Sequence, residues 1–156
     1  MTSLGFTGTR ATEPHRLKLR TYLESADMVM FLRKFDTYVT GGCTGWDALV
    51  GRYLRLKFPP PIAEHIVVVP ANRSQVDPWW EEFDPGTVHL VFMNDDTDYR
   101  ARNEEIVRRS DHLFYCADYP EDNARSKRSG TWMTKRIGER AKIPVNGIVL
   151  NSEVNA

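Results

Sequence analysis

Three observations predict a doubly wound α/β fold, with a mainly parallel sheet and helices on both faces. Short β-branched or aromatic runs alternate with longer helical patterns along the chain, an order that yields parallel strands joined by right-handed helical crossovers. Two of those runs pass through a glycine-containing turn into a helix, at Gly8-Thr9-Arg10 and at Gly41-Gly42-Cys43-Thr44-Gly45. A third run, Ile66-Val67-Val68-Val69, is continuously apolar, as expected of a strand covered on both faces. The 156 residues suit one domain spanning 1–156.

The elements follow in order. Leu4-Gly5-Phe6-Thr7 reads as the first strand. Thr12 is placed to cap a helix through its hydroxyl, with Pro14 tolerated in the first turn. Leu17, Leu19, Tyr22 and Leu23 supply that helix with an apolar face. Residues 26–35 fit either a continued helix or a strand. Thr37-Tyr38-Val39-Thr40 is the second strand. The helix after it has the cleanest periodicity in the chain: Trp46, Leu49, Val50, Tyr53 and Leu54 fall at i, i+3, i+4, i+7 and i+8, one stripe of a 3.6-residue helix. Pro59-Pro60-Pro61 ends it. Residues 88–92 read as a further strand or an apolar loop. A helix is predicted over 99–109 with Ile106 and Val107 inward, then a strand at Leu113-Phe114-Tyr115-Cys116. A polar loop spans 117–129, a helix 131–141, and after Pro144 a last strand covers 145–150.

Composition narrows the function classes. Hydrophobic residues make up 41% of the chain and charged residues 27%, enough for a buried core. The 21 basic and 21 acidic residues cancel, which argues against a dedicated nucleic-acid binder, since such a protein needs surplus cations to neutralise phosphates. Within the sequence no apolar run reaches membrane-spanning length, and Met1-Thr2-Ser3-Leu4-Gly5-Phe6 lacks the basic-then-apolar pattern of a signal peptide. Cys43 and Cys116 make no disulfide framework, so a reducing cytoplasm is the expected address. His15, His65, His89 and His112 lack metal-ligand spacing. Neither a metal nor a cofactor is expected.

In such sheets ligands bind beyond the carboxyl ends of the strands. Four segments converge there: Gly8-Thr9-Arg10, Gly41-Gly42-Cys43-Thr44-Gly45, Arg102-Asn103, and Ser129-Gly130-Thr131-Trp132. Glycine before a helix lets a phosphate approach free backbone N–H groups at the positive end of the helix dipole. A tight turn with a helix cap is the structural alternative for each loop. No Gly-Lys-Ser/Thr follows the glycines, and the spacing is not that of the dinucleotide fingerprint. Arg10 either closes its own loop or contacts phosphate through its fork of donors. Asp47 either complements the helix dipole or binds a ribose hydroxyl. Arg102 and Asn103 read as a ligand-facing turn ahead of a helix or as its solvated start, and Trp132 as core, lid or base-stacking platform. Cys43 lies where a thiol pKa tends to fall, yet no histidine is placed to make it a nucleophile. Asn72-Arg73-Ser74-Gln75 is a further loop that either reaches the ligand or is exposed. Arg125, Lys127 and Arg128 form either a mobile solvated loop or an anion clamp.

In this order the four segments, with Trp46-Asp47-Ala48-Leu49 and Tyr99-Arg100-Ala101, resemble the SLOG superfamily over residues 4–150. That group embraces the DNA-processing protein DprA, the LOG phosphoribohydrolases and small nucleotide-sensing domains of the YspA type. The resemblance implies a Rossmann-like fold and a phosphorylated nucleoside or nucleotide derivative as ligand: a nucleoside monophosphate, an ADP-ribose-like or an NAD-related molecule. It further implies backbone or hydroxyl donors from Gly8, Thr9, Gly41, Gly42, Gly45, Gly130 and Thr131, phosphate neutralisation by Arg10 and Arg102, and a homo-oligomer. LOG hydrolases carry a P-G-G-x-G-T-x-x-E pattern whose glutamate assists cleavage of the N-glycosidic bond. Gly130-Thr131 matches its Gly-Thr, but the glutamate position falls on Thr134, which cannot act as a base. The chain is thus most similar to the small YspA-type members. The alternatives are a nucleotide N-glycosidase in which Glu104 or Glu105 replaces the absent acid, and a DprA-like binder of single-stranded DNA using Arg125, Lys127, Arg128 and Trp132.

Overall fold

The computed structural model describes residues 2–69, 88–94 and 99–151. In chain order these form β1 (Ser3–Gly8), a 3-10 turn (Glu13–His15), α1 (Arg16–Glu24), α2 (Ala26–Leu32), β2 (Thr37–Thr40), α3 (Trp46–Lys57), β3 (Glu64–Val69) and β4 (His89–Phe92). They continue with α4 (Tyr99–Arg108), β5 (His112–Ala117), a 3-10 turn (Ala124–Ser126), α5 (Gly130–Arg140) and β6 (Val145–Val149). The six strands make one sheet in the order β4-β3-β2-β1-β5-β6, parallel at every pairing. The doubly wound α/β prediction holds.

Period-two alternation along the strands separates two cores. Leu4 and Phe6 of β1, Tyr38 of β2, and Phe114 and Cys116 of β5 pack with Leu19, Leu23, Met28, Leu32, Trp46, Val50 and Leu54, so α1, α2 and α3 cover one face. On the other face Val39, Val68 and Leu113 meet Ile106 and Val107 of α4, with Ile137 of α5 against them. The predicted stripe on α3 is the buried one: Trp46, Val50 and Leu54 are fully enclosed, with Leu49 and Tyr53 packed at its flanks. On the edge strand, Gly147 pairs with Tyr115, and a Cβ there would lie 2.3 Å from the Tyr115 ring. Glycine at 147 therefore lets that ring lie over β6, where it also packs against Trp132 at 5.0 Å between centroids.

Two expectations are corrected and the open ones resolve. The Thr12 hydroxyl caps nothing; its carbonyl accepts from the His15 N–H at 2.9 Å, and a 3-10 turn precedes α1. Leu17 is 78% exposed rather than part of the apolar face. The ambiguous 26–35 segment is helical over Ala26–Leu32, because the Ser25 hydroxyl accepts from the Met28 N–H and starts a new helix. Residues 89–92 are a strand, paired with β3. The 117–129 loop contains a short 3-10 turn capped by the Asn123 side chain. Asn72-Arg73-Ser74-Gln75 lies outside the described residues.

Candidate functional site

Successive strands step outward from β1 through β2 and β3 to β4, and the chain then returns to place β5 on the other side of β1. The loops leaving β1 and β5 therefore diverge, opening a crevice at the carboxyl edge, the topological switch point of such sheets. A cavity of about 580 Å³ occupies it, within the size range of small-molecule sites. Gly8, Thr9 and Arg10 line it from β1, and Asp118 and Tyr119 from β5. Cys43 comes from the loop before α3 and Asp47 from its first turn, Tyr99, Arg102 and Asn103 from α4, and Arg125, Ser126, Arg128, Ser129, Gly130 and Thr131 from the loop and first turn of α5.

Twelve of the candidate residues singled out in the sequence thus meet around one space: Gly8, Thr9, Arg10, Cys43, Asp47, Arg102, Asn103, Arg125, Arg128, Ser129, Gly130 and Thr131. Gly41, Gly42, Thr44, Gly45 and Trp132 do not line it. The reason is local. Gly45 has φ +86°, and a Cβ there would lie 2.4 Å from Arg10 Cα, so only glycine lets the β1 loop press against the start of α3. The Thr9 carbonyl accepts the Trp46 N–H at 3.0 Å, and Asp47 Oδ2 accepts the Cys43 N–H at 3.4 Å. That glycine loop is occupied by the protein's own groups.

Arg102 lies inside α4, not ahead of a helix, and is buried. Its Nε donates to Asn103 Oδ1 at 2.8 Å, and its Nη1 to the Gly41 carbonyl at 2.8 Å and to the Cys43 sulfur at 3.4 Å. It stands beside Asp47, which is 5% exposed and has an Oδ1 without a partner among the described residues. Burial raises the Asp47 carboxyl to about 6 against the pull of Arg102. Burial and Asp47 together push the Cys43 thiol up, reversing the fall that its position before a helix suggested.

The α5 side is arranged differently. Ser129 caps the helix by accepting the Trp132 N–H at 3.3 Å. Gly130 is exposed, and the nearest neighbour of a Cβ placed on it would be Asn103 Nδ2 at 3.8 Å. Trp132 is buried; its indole N–H donates to the Tyr119 carbonyl at 2.9 Å, so it holds the loop and has no face for a base. Thr134 is fully enclosed and donates to the Gly130 carbonyl at 2.7 Å. It does not face the cavity mouth. Glu104 and Glu105 are spent on Arg100, Arg108 and Arg109, and neither lines the cavity.

Among the described residues four arginines and two aspartates line this space, so in a chain with zero net charge the described lining is net positive. Arg125 stacks on the Tyr119 ring at 4.8 Å and donates to its hydroxyl. Arg10 and Arg128 make no hydrogen bond or ion pair among the described residues. Sequence reasoning missed Asp118 and Tyr119, whose loop has no glycine to mark it, and the lining role of Tyr99.

Among the described residues no group of three or more His, Cys, Asp or Glu is placed to hold a metal ion. No described helix is long and apolar enough to cross a membrane. No protein-family model matches the chain, and no curated protein matches its sequence. The fold is similar to that of TM1055, a Northeast Structural Genomics Consortium target solved by X-ray crystallography. The match covers 93% of this chain and 72% of that one, with a TM-score of 0.62 and 14% identity. The two chains share a Rossmann-like fold.

Proposed function

We propose that this chain is a nucleotide-binding domain of the SLOG type that holds a phosphorylated nucleoside in the crevice between the β1 and β5 loops. One observation carries the reading: a cavity of about 580 Å³ at the switch point, lined by Arg10, Arg102, Arg125 and Arg128, in a chain whose charges cancel overall. The phosphate sits at the exposed start of α5, where unshared N–H groups and the helix dipole favour an anion, with Arg128 and Arg10 reaching in from the rim. Tyr99 and Tyr119 offer aromatic faces for the nucleoside. A cytoplasmic address and self-association accompany this reading as expectations from the resemblance and the free thiols.

Binding without turnover is the favoured form. A general acid or base at the position of the LOG glutamate is replaced by Thr134, whose hydroxyl is committed to its own helix. DNA binding is disfavoured because Trp132, the proposed stacking platform, is locked in the core.

The test is a thermal-shift screen of nucleoside monophosphates beside their nucleosides. A ligand at about 100 times its Kd adds roughly 2.7 kcal/mol to stability. Stabilisation by at least one monophosphate and not by its nucleoside is expected, with no free base released. The double variant Arg10→Ala, Arg128→Ala should weaken monophosphate binding by roughly tenfold or more, since charge-assisted hydrogen bonds contribute about 1.5–3 kcal/mol each. Equal binding of nucleoside and monophosphate would remove the phosphate from the reading, and release of base would replace it with a hydrolase.

A further inference from the structure

One buried polar group of the cavity has unused hydrogen-bonding capacity. Asp47 lines the space and is 5% exposed. Its Oδ2 is engaged by the Cys43 N–H, whereas Oδ1 is enclosed and has no partner among the described residues. A buried acceptor left unsatisfied is costly, and more so when charged. The carboxyl turns about a soft, two-fold terminal torsion, so a donor arriving in the cavity can be met with little rearrangement.

The surroundings define that donor. Phosphate is repelled by a carboxylate and is drawn instead to the start of α5. A cation is not called for, because Arg102 already stands against Asp47 and offsets its charge. A neutral hydroxyl satisfies the oxygen without adding charge. Arg102 and Asn103, adjacent on α4, point to the two stations: Arg102 to Gly41, Cys43 and Asp47, Asn103 towards Gly130. The two side chains are joined, Arg102 Nε donating to Asn103 Oδ1 at 2.8 Å, so the acceptor and the start of α5 are bridged by one hydrogen-bonded pair.

We propose that Asp47 reads the sugar of the bound nucleotide, its free carboxylate oxygen accepting a hydrogen bond from a ribose hydroxyl and making the site selective for ribonucleotides over deoxyribonucleotides. The proposal rests on the nucleotide-binding reading above. Its test is calorimetric titration at pH 8 with AMP, GMP, CMP and UMP, each beside its 2′-deoxy and 3′-deoxy counterpart. For whichever base binds, removing one of the two hydroxyls should weaken binding roughly tenfold or more. Asp47→Asn should cut that preference to below about threefold while keeping the preference for monophosphate over nucleoside, and Asp47→Ser serves if the amide variant does not fold. The wild-type comparison needs no variant at all. Equal binding of all three sugars overturns the proposal and leaves nucleotide binding standing, as does a variant that keeps the full ribose preference. No binding by any of the twelve probes overturns both.

Discussion

Two helix starts in this molecule look alike in sequence and differ in what they can offer a ligand. Each carries glycine just before or at its first turn, at Gly41-Gly42-Cys43-Thr44-Gly45 before α3 and at Gly130 in α5. The first is closed: the Thr9 carbonyl takes the Trp46 N–H, Arg102 takes the Gly41 carbonyl, and Asp47 takes the Cys43 N–H. The second is open: one N–H is capped by Ser129 and Gly130 faces solvent beside the cavity. Glycine before a helix permits a close approach but does not say what approaches. In one place it is the protein's own backbone, and in the other there is room for an outside group.

The strongest way to break this comparison is to give each loop a methyl group. Gly45→Ala forces an L side chain into positive φ and against the Arg10 backbone. It should cost at least about 3 kcal/mol in urea unfolding, strain and overpacking together. A loss below 1 kcal/mol would mean that the closed loop relaxes freely. Next in size is the pH response of the closed side. The Asp47 carboxyl rises from an ordinary 3.8 to about 6 on folding, so the folded chain binds the extra proton between those values. Asp47 therefore costs nothing below about pH 4 and its full penalty, about 3 kcal/mol, above pH 6. Stability of the wild type should fall across that window, and Asp47→Asn should lack this part of the slope. Parallel curves for the two proteins would show that the carboxyl is not desolvated.

Smaller effects sharpen the open side. Trp132→Phe keeps a ring against Tyr115 but removes the indole donor to the Tyr119 carbonyl. It should lower stability by about 1–2 kcal/mol and weaken monophosphate binding through the displaced Arg125 and Arg128, measured by unfolding and titration on the same preparation. Unchanged binding would detach the loop from the site. The least effect is expected of Gly130→Ala, whose Cβ meets nothing closer than 3.8 Å. Its stability should stay within about 0.5 kcal/mol of wild type, in contrast to its counterpart at 45.

The layout of strands and helices was readable because alternation and helical spacing are local signals, and both survived burial. The start of α2 was not, since its only mark is Ser25, one polar residue in a run whose apolar content suits a strand equally well. Arg10, Asp47 and Asn103 could be nominated from their positions near turns. What Arg102 and Trp132 do depended on partners further along the chain: Arg102 on Gly41, 61 residues away, and Trp132 on Tyr119 across the loop. Asp118 and Tyr119 stayed hidden because a strand end without glycine carries no local signal. They enter the cavity only through the return of the chain to β5 beside β1.

Gly147 has a consequence for how the rim of this cavity can drift or be engineered. The bare backbone at this edge position seats Tyr115, Tyr115 seats Trp132, and Trp132 anchors the loop that carries Arg125 and Arg128. Any side chain at 147 displaces the first ring and, through close packing, the other two contacts. A mutant library aimed at new specificity should therefore sample this edge-strand glycine along with the cavity wall, because it adjusts the rim arginines without touching a single lining residue.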